Sequence, residues 1–282
     1  MNFLKTMLCV CGFGAVAASC TPANQTKDEP FKYTVDEFAD VQVLRYRIPG
    51  WDSLSLNQKA YIYHLGEAGK CGRDILFSQN FKYNIRIRKI LENIIENYTG
   101  DKNCQEWNDF LVYAKRVFFS NGIHHHYAED KIIPTCSKEY FEQLMAATGN
   151  GHQVKDIIPI VFDPELYPQR KYTGSTEDVI EASAVNFYGN NITKDEVNAY
   201  YGKLEKEGGE RPLAYGINSR LVKKDGKLVE QVYKIGGRYS NSISVIIGHL
   251  AKAAEFAEND AQKEYIAKLI EYYQTGDLKT WD

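Results

Sequence analysis

The feature that most constrains what this chain can fold into is a set of apolar stripes with a helical period. In 85–98, Ile87, Ile90, Leu91, Ile94, Ile95 and Tyr98 recur at the intervals that put them on one face of an α-helix. The segment 106–119 repeats the theme with Phe110, Leu111, Ala114, Val117 and Phe118, and 55–70 carries Leu56, Ala60, Tyr63 and Leu65. Near the other end, 239–258 holds Ile243, Ile246, Ile247, Leu250, Ala254 and Ala257, and 261–274 holds Ile266, Leu269, Ile270 and Tyr273. Each stripe needs an apolar partner, so helix packing must dominate the fold.

Local signals fill in the rest. Ser137 suits the N-cap of a helix running to about Ala147. Thr193 and Glu196 fit a capping box opening a helix to Lys206. Gly100 and Gly276 sit where C-terminal caps would, and 175–188 also reads as helical. Pro159, Pro164 and Pro168 exclude an unbroken helix through that stretch. The segment 38–48 alternates weakly and predicts a strand ended by Pro49-Gly50. Asp225-Gly226 lies between the β-prone runs 220–224 and 227–235, the preferred two-residue hairpin turn. The fold class expected is α+β, helix-rich with a small antiparallel β element.

The first residues read as an export signal, not as part of that fold. Lys5 supplies a short positive start, and the apolar stretch Met7 to Ala18 is too short for a stable membrane span. It runs into Ala17-Ala18-Ser19-Cys20, which resembles a bacterial lipoprotein signal over 1–19, with Cys20 as the lipidated residue. The competing reading is an ordinary secretory signal cleaved nearby. The polar, Pro-terminated stretch to residue 30 reads as a flexible tether over 20–30, and 31–282 as the folded part. With Cys9 and Cys11 in the signal and Cys20 lipidated, Cys71, Cys104 and Cys136 remain, an odd number that excludes a full disulfide framework and leaves room for one bridge that the sequence does not assign.

Composition excludes some functions. Net charge is −3, from 34 basic and 37 acidic residues, without a Lys/Arg block, so nucleic acid is not an expected partner. The chain holds 20 Tyr and 13 Phe against 3 Met and 3 Trp, a bias that suits a wide, wet cleft or equally a Tyr-rich core. Neither His-Glu-x-x-His nor His-Glu-x-x-Gly-His is present, so the usual helical zinc pair is missing. His64, His152 and His249 stand alone. His124-His125-His126 is the conspicuous cluster: a metal site, a polar loop lining a cleft, or an inert exposed loop. Consecutive histidines match a tetrahedral metal site poorly, because neighbours on a helix or strand diverge. No nucleophile elbow or phosphate-binding loop is present. Arg86–Lys89 reads as a solvated helix face, and so does the pair Glu255 and Glu258.

Taken together, FADVQVLRYRIPG (38–50), GRDILFSQNFKYN (72–84), RVFFSNGIHHHYAEDKIIP (116–134), KIGGRYSNSI (234–243) and LIEYYQTGDLKTWD (269–282) resemble the dipeptidyl peptidase III family, in its bacterial exported branch. The resemblance implies the N-terminal portion of a two-lobed zinc peptidase that removes dipeptides from the N-terminus of short peptides. In that family the zinc ligands come from a later His-Glu-x-x-Gly-His helix and a Glu-Glu-x-x-x-Asp helix, and none of them exists here. The expectation is therefore a chain that binds no zinc, lacks catalytic residues and is inactive alone, its missing C-terminal lobe supplied from elsewhere. Carried over residue by residue, only the 116–134 segment bears on substrate: Asn121, Gly122, His124, His125, His126 and Tyr127 are expected to shape the cleft or bind peptide. A non-catalytic, lipid-anchored peptide-binding module is the alternative.

Two further expectations follow from the last helices. The stripes of 239–258 and 261–274, and Trp281 beside the final residue, look for an apolar partner in later sequence. Uncovered, they would leave the chain marginally stable. At the other end, Cys20→Ala is expected to release the protein from the membrane fraction or to leave an uncleaved precursor. Unchanged partitioning with normal maturation would sink the lipoprotein reading.

Overall fold

A computed structural model describes residues 31–211 and 213–282. The signal and tether expected at 1–19 and 20–30, Cys20 included, lie outside the described residues. Contacts divide the chain into two compact units at Arg47 and Ile48.

Within the first unit, β1 (Thr34–Phe38) and β2 (Val41–Leu44) form an antiparallel hairpin in which Phe38 pairs with Val41. The single strand expected over 38–48 is thus two strands. Alternation alone cannot distinguish one strand from a tight hairpin, and Ala39 takes the left-handed φ of 48° that reverses the chain. The guanidinium groups of Arg45 and Arg47 lie 4.7 and 4.6 Å from the Phe31 ring centroid.

In the second unit, helices α1 (Leu56–Cys71), α2 (Arg73–Asn80), α3 (Asn84–Asn97), α4 (Gln105–Ser120), α5 (Lys138–Ala147) and α6 (Val154–Phe162) come first. The short α7 (Val179–Ala182) and then α8 (Lys194–Glu207) follow. β3 (Ser219–Lys224) and β4 (Lys227–Val232) precede α9 (Ser240–Glu255), α10 (Asp260–Thr275) and the one-turn α11 (Leu278–Trp281). The caps follow the sequence signals. Thr193 and Glu196 make a capping box, and the Ser137 hydroxyl accepts from the Tyr140 amide. Asp225 and Gly226, at φ 51° and 76°, make the hairpin turn. α3 is different: it ends in extended Tyr98, and Gly100 is not its cap.

Three cores hold the unit. The largest packs α2 to α6 around Phe77, Phe81, Leu91, Phe110, Phe141 and Leu144, all fully buried. A second joins α1, α9 and α10 through Ala68, Ile246, Leu250 and Ile266. A third sets Ile192 and Val197 against Leu221 of β3. Cys71, Cys104 and Cys136 are unbridged.

Two segments depart from their sequence signals for identifiable reasons. α6 runs through Pro159. The imide removes the bond to the Lys155 carbonyl, but Lys155 is exposed, so water can take that acceptor, and burial of Ile157, Ile158, Ile160 and Val161 offsets the loss. The helix expected over 175–188 survives only as α7. Its second half is pulled out straight: the Asn186 amide donates to Gln79 O (2.8 Å), Leu221 N donates to Phe187 O (3.0 Å) and Gly189 N to Leu221 O (2.7 Å). The chain there runs parallel beside β3, and tertiary bonds replace a helix of modest propensity.

The apolar stripes of α9 and α10 do not wait for later sequence. α9 packs against α1 on one side and α10 on the other, so the expected uncovered face is largely absent, and Trp281 packs on Tyr272 with ring centroids 5.1 Å apart. Ile266→Ala is therefore expected to cost about 2–5 kcal/mol, whereas Val245→Ala, on the half-exposed side of α9, should stay within about 0.5 kcal/mol. Equal losses in urea titrations would show that Ile266 is not buried in this core.

Candidate functional site

The 116–134 segment begins at the end of α4. Asn121 closes the helix in the left-handed conformation, φ 53° and ψ 41°. Its carbonyl accepts from the Asn80 side chain (3.0 Å) and more weakly from Asn84 (3.5 Å). Gly122 follows at φ 150°, and a Cβ there would lie 2.1 Å from Asn84 Nδ2, so only glycine fits. Asn84 is wholly buried. Its amide donates to Phe77 O (3.1 Å) and accepts from Ile123 N (3.2 Å).

The three histidines then diverge in role. His124 is buried, 1% exposed, and its Nε2 bonds the Tyr167 carbonyl at 2.9 Å. Tyr167 needs that hold, for it stands at a left-handed φ of 57°. His125 Nδ1 accepts from the amides of Tyr127 (3.2 Å) and Ala128 (2.9 Å), which curls the loop, and Glu129 N returns to His125 O at 3.1 Å. His126 stacks outward between His125 (4.6 Å) and Tyr127 (4.4 Å), with Phe119 edge-on at 5.0 Å. Tyr127 is 84% exposed.

Charged groups lock the loop from behind. Arg170 grips Glu129 with two 2.7 Å bonds and also donates to His126 O (3.2 Å). That guanidinium holds the Glu129 carboxyl below its ordinary range. Lys131 Nζ donates to the carbonyls of Asp163 (2.6 Å) and Leu166 (2.5 Å), and burial pulls its pKa down to about 8.

Of the six residues expected to face a cleft, Gly122 and His124 are buried, Asn121, His125 and His126 are intermediate, and Tyr127 alone is exposed. The loop is not an inert run of exposed histidines. His124 Nε2 and His125 Nδ1 bond backbone and His126 Nδ1 lies 3.5 Å from Ser120 Oγ, and among the described residues no group of three or more His, Cys, Asp and Glu side chains is placed to hold a metal. The residues here therefore do not fit a zinc site. The basic run is equally occupied, Arg86 on Asp156 (2.9 Å) and Arg88 on Asp74 (2.6 Å).

What the sequence did not reveal is the cavity that Tyr167 reaches. It measures about 310 Å³, and Phe81, Lys82, Tyr167, Asn186, Tyr188 and Arg220 contribute to its lining. Tyr167 packs at a tilt on Phe81, ring centroids 4.9 Å apart, and Lys82 Nζ lies 5.2 Å from the Tyr167 ring centroid. His124 thus acts on this cavity from behind, through the carbonyl it bonds. Nothing in the local sequence marks 186–191 as a wall, since it becomes one only by lying beside β3.

Comparison with known proteins shows a partial match to a peptidase class. Residues 177–282 match the model of peptidase family M49. Within that class the relatives are dipeptidyl peptidase 3 proteins. The human protein is 21% identical over 272 residues, covering 80% of this chain and 36% of its own length. The Dictyostelium discoideum protein is 22% identical over 270 residues, covering 83% of this chain and 37% of its own. Among solved structures, dipeptidyl peptidase III from Caldithrix abyssi matches 80% of the chain and 32% of its own, with a TM-score of 0.50 and 19% identity. The enzyme from Corallococcus sp. strain EGB matches 83% and 33%, with a TM-score of 0.52 and 16% identity. The structures share the fold. The family that this chain resembles is the dipeptidyl peptidase III family, and the chain spans little more than a third of the length of the curated relatives it matches.

His124 makes the loop sensitive to acid. Burial above all lowers its pKa from 6.5 to about 4, and Lys131 and Arg170 push the same way against the Tyr167 carbonyl and Glu129. The unfolded chain binds a proton that the folded chain refuses. The stability carried by neutral His124 is therefore whole above about pH 6.5 and falls away as pH drops toward 4. His124→Gln keeps a donor for Tyr167 but cannot titrate. Between pH 7 and 4.5 it should lose about 2 kcal/mol less than the parent in urea titrations. Identical pH slopes would refute the assignment.

Proposed function

We propose that this chain is the N-terminal part of an exported, lipid-anchored, zinc-dependent dipeptidyl peptidase that acts on short peptides. In this reading the chain supplies one wall of the peptide cleft of a two-lobed enzyme and none of its zinc chemistry. The outer surface of the 116–134 loop, Phe119, His126 and above all Tyr127, offers aromatic faces to an extended peptide. Asn121, Gly122, His124 and His125 hold that surface in shape from behind. Zinc, when bound, would supply a polarised water for hydrolysis, held by residues outside these 282.

The observation that carries the proposal is the continuity of the match. Dipeptidyl peptidase 3 relatives align with 80% or more of the chain, and the M49 model covers its last stretch, so one family accounts for both sides of the His124 loop. Lipidation at Cys20, export and the leaflet that bears the anchor rest on the signal segment alone.

The test has two arms. The 282-residue chain should release no dipeptide from a dipeptidyl arylamide, with or without added zinc. The same chain continued through its downstream codons should release it, and those codons should encode His-Glu-x-x-Gly-His. Release by the short chain would overturn the proposal. So would a stop codon followed by an unrelated reading frame, which would favour the lipid-anchored binding module.

A further inference from the structure

The cavity beside β3 contains a charge that the protein leaves unbalanced. Arg220 lines it, and its Nη2 donates to Tyr188 O at 3.0 Å. Its Nε is buried with no bonding partner. Arg238 comes near enough for the two charges to oppose each other, and its own Nε is likewise buried and unbonded. Around them stand phenols, not carboxylates. Tyr239 donates to Ser78 Oγ at 3.0 Å, and the Tyr233 hydroxyl is buried beside Gln79. Burial and Arg238 both disfavour the charge on Arg220, and the groups that oppose them are the phenols of Tyr233 and Tyr239, with no carboxylate among them. Glu181, an exposed residue, is the acid among the cavity's lining residues, and Lys82 lines the same cavity.

A half-buried guanidinium without a counter-ion is costly, and the cost falls when an anion arrives. A planar fork suits a planar carboxylate better than a spherical ion. We propose that this cavity is a carboxylate-binding site with Arg220 as its anchor, reinforced by the field of Arg238. The carboxylate belongs either to the C-terminus of a peptide or to a small free acid. The inference does not depend on the peptidase reading, because it concerns a charge within this chain.

Calorimetric titration of the 282-residue chain at fixed ionic strength tests it, using N-acetyl-Ala-Ala, its C-terminal amide, acetate and inorganic phosphate. The free acid is expected to bind and the amide not. Arg220→Gln should weaken binding at least about tenfold, while Glu181→Gln should not weaken it. A peptide acid that binds at least about tenfold tighter than acetate assigns a peptide terminus, and equal binding assigns a small acid; either supports the site. Were Arg220→Gln to fold poorly, Arg220→Lys, which keeps the charge and loses the fork, should still weaken binding several-fold. Equal binding of acid and amide, preference for phosphate, undiminished binding by the Arg220 variants, or no binding at all would overturn the proposal.

Discussion

Asn84 stands at the first turn of α3, sealed from solvent, and its amide bonds three separate points of backbone: the end of α2 at Phe77, the end of α4 at Asn121 and the start of the histidine loop at Ile123. A buried amide with its hydrogen bonds made is stabilising, and with any of them lost it is a liability. The groups around it are therefore not free to drift. The left-handed cap at Asn121, the glycine at 122 and the direction in which His124 enters the fold all follow from where that amide sits. From His124 the constraint passes to the Tyr167 carbonyl, and from the Tyr167 backbone to the ring that lines the cavity. The shape of the loop's outer surface thus depends on an uncharged, buried side chain.

The helices were legible because their evidence is local. The stripes at Ile87 to Tyr98 and Phe110 to Phe118 lie on one element each, and capping residues such as Thr193 announce themselves within four positions. The Asp225-Gly226 turn is legible for the same reason. α2 was passed over because it is only eight residues long and abuts α1 at Gly72. Residues 183–188 misled because their outcome depends on bonds to Gln79 and Leu221, far away in sequence.

The candidate site divides in the same way. The clustering of three histidines at 124–126 could be read from the residues, and Tyr127 beside them is exposed. Which way each histidine points could not be read, since His124 turns inward to satisfy a carbonyl at position 167 and His125 turns back on its own loop. Arg220 gave no signal at all. In the sequence it is one basic residue in a β-prone run, and only the return of 232–239 beside it brings Arg238 and the phenols close.

The seam between α1 and α9 has a consequence for biosynthesis. α1 starts at residue 56 and the helix that covers it starts at residue 240. On a ribosome adding about 5–20 residues per second, the first helix waits on the order of ten seconds or more for its cover. During that interval the faces of Leu65, Ala68 and Ile75, which belong to the second core, have no helix to rest on. The α2 to α6 core, whose members lie close together along the chain, can close meanwhile. Order of emergence thus splits the unit into an early-folding body and a late clasp, and the nascent chain spends the gap as a client for whatever shields apolar helices in the cell.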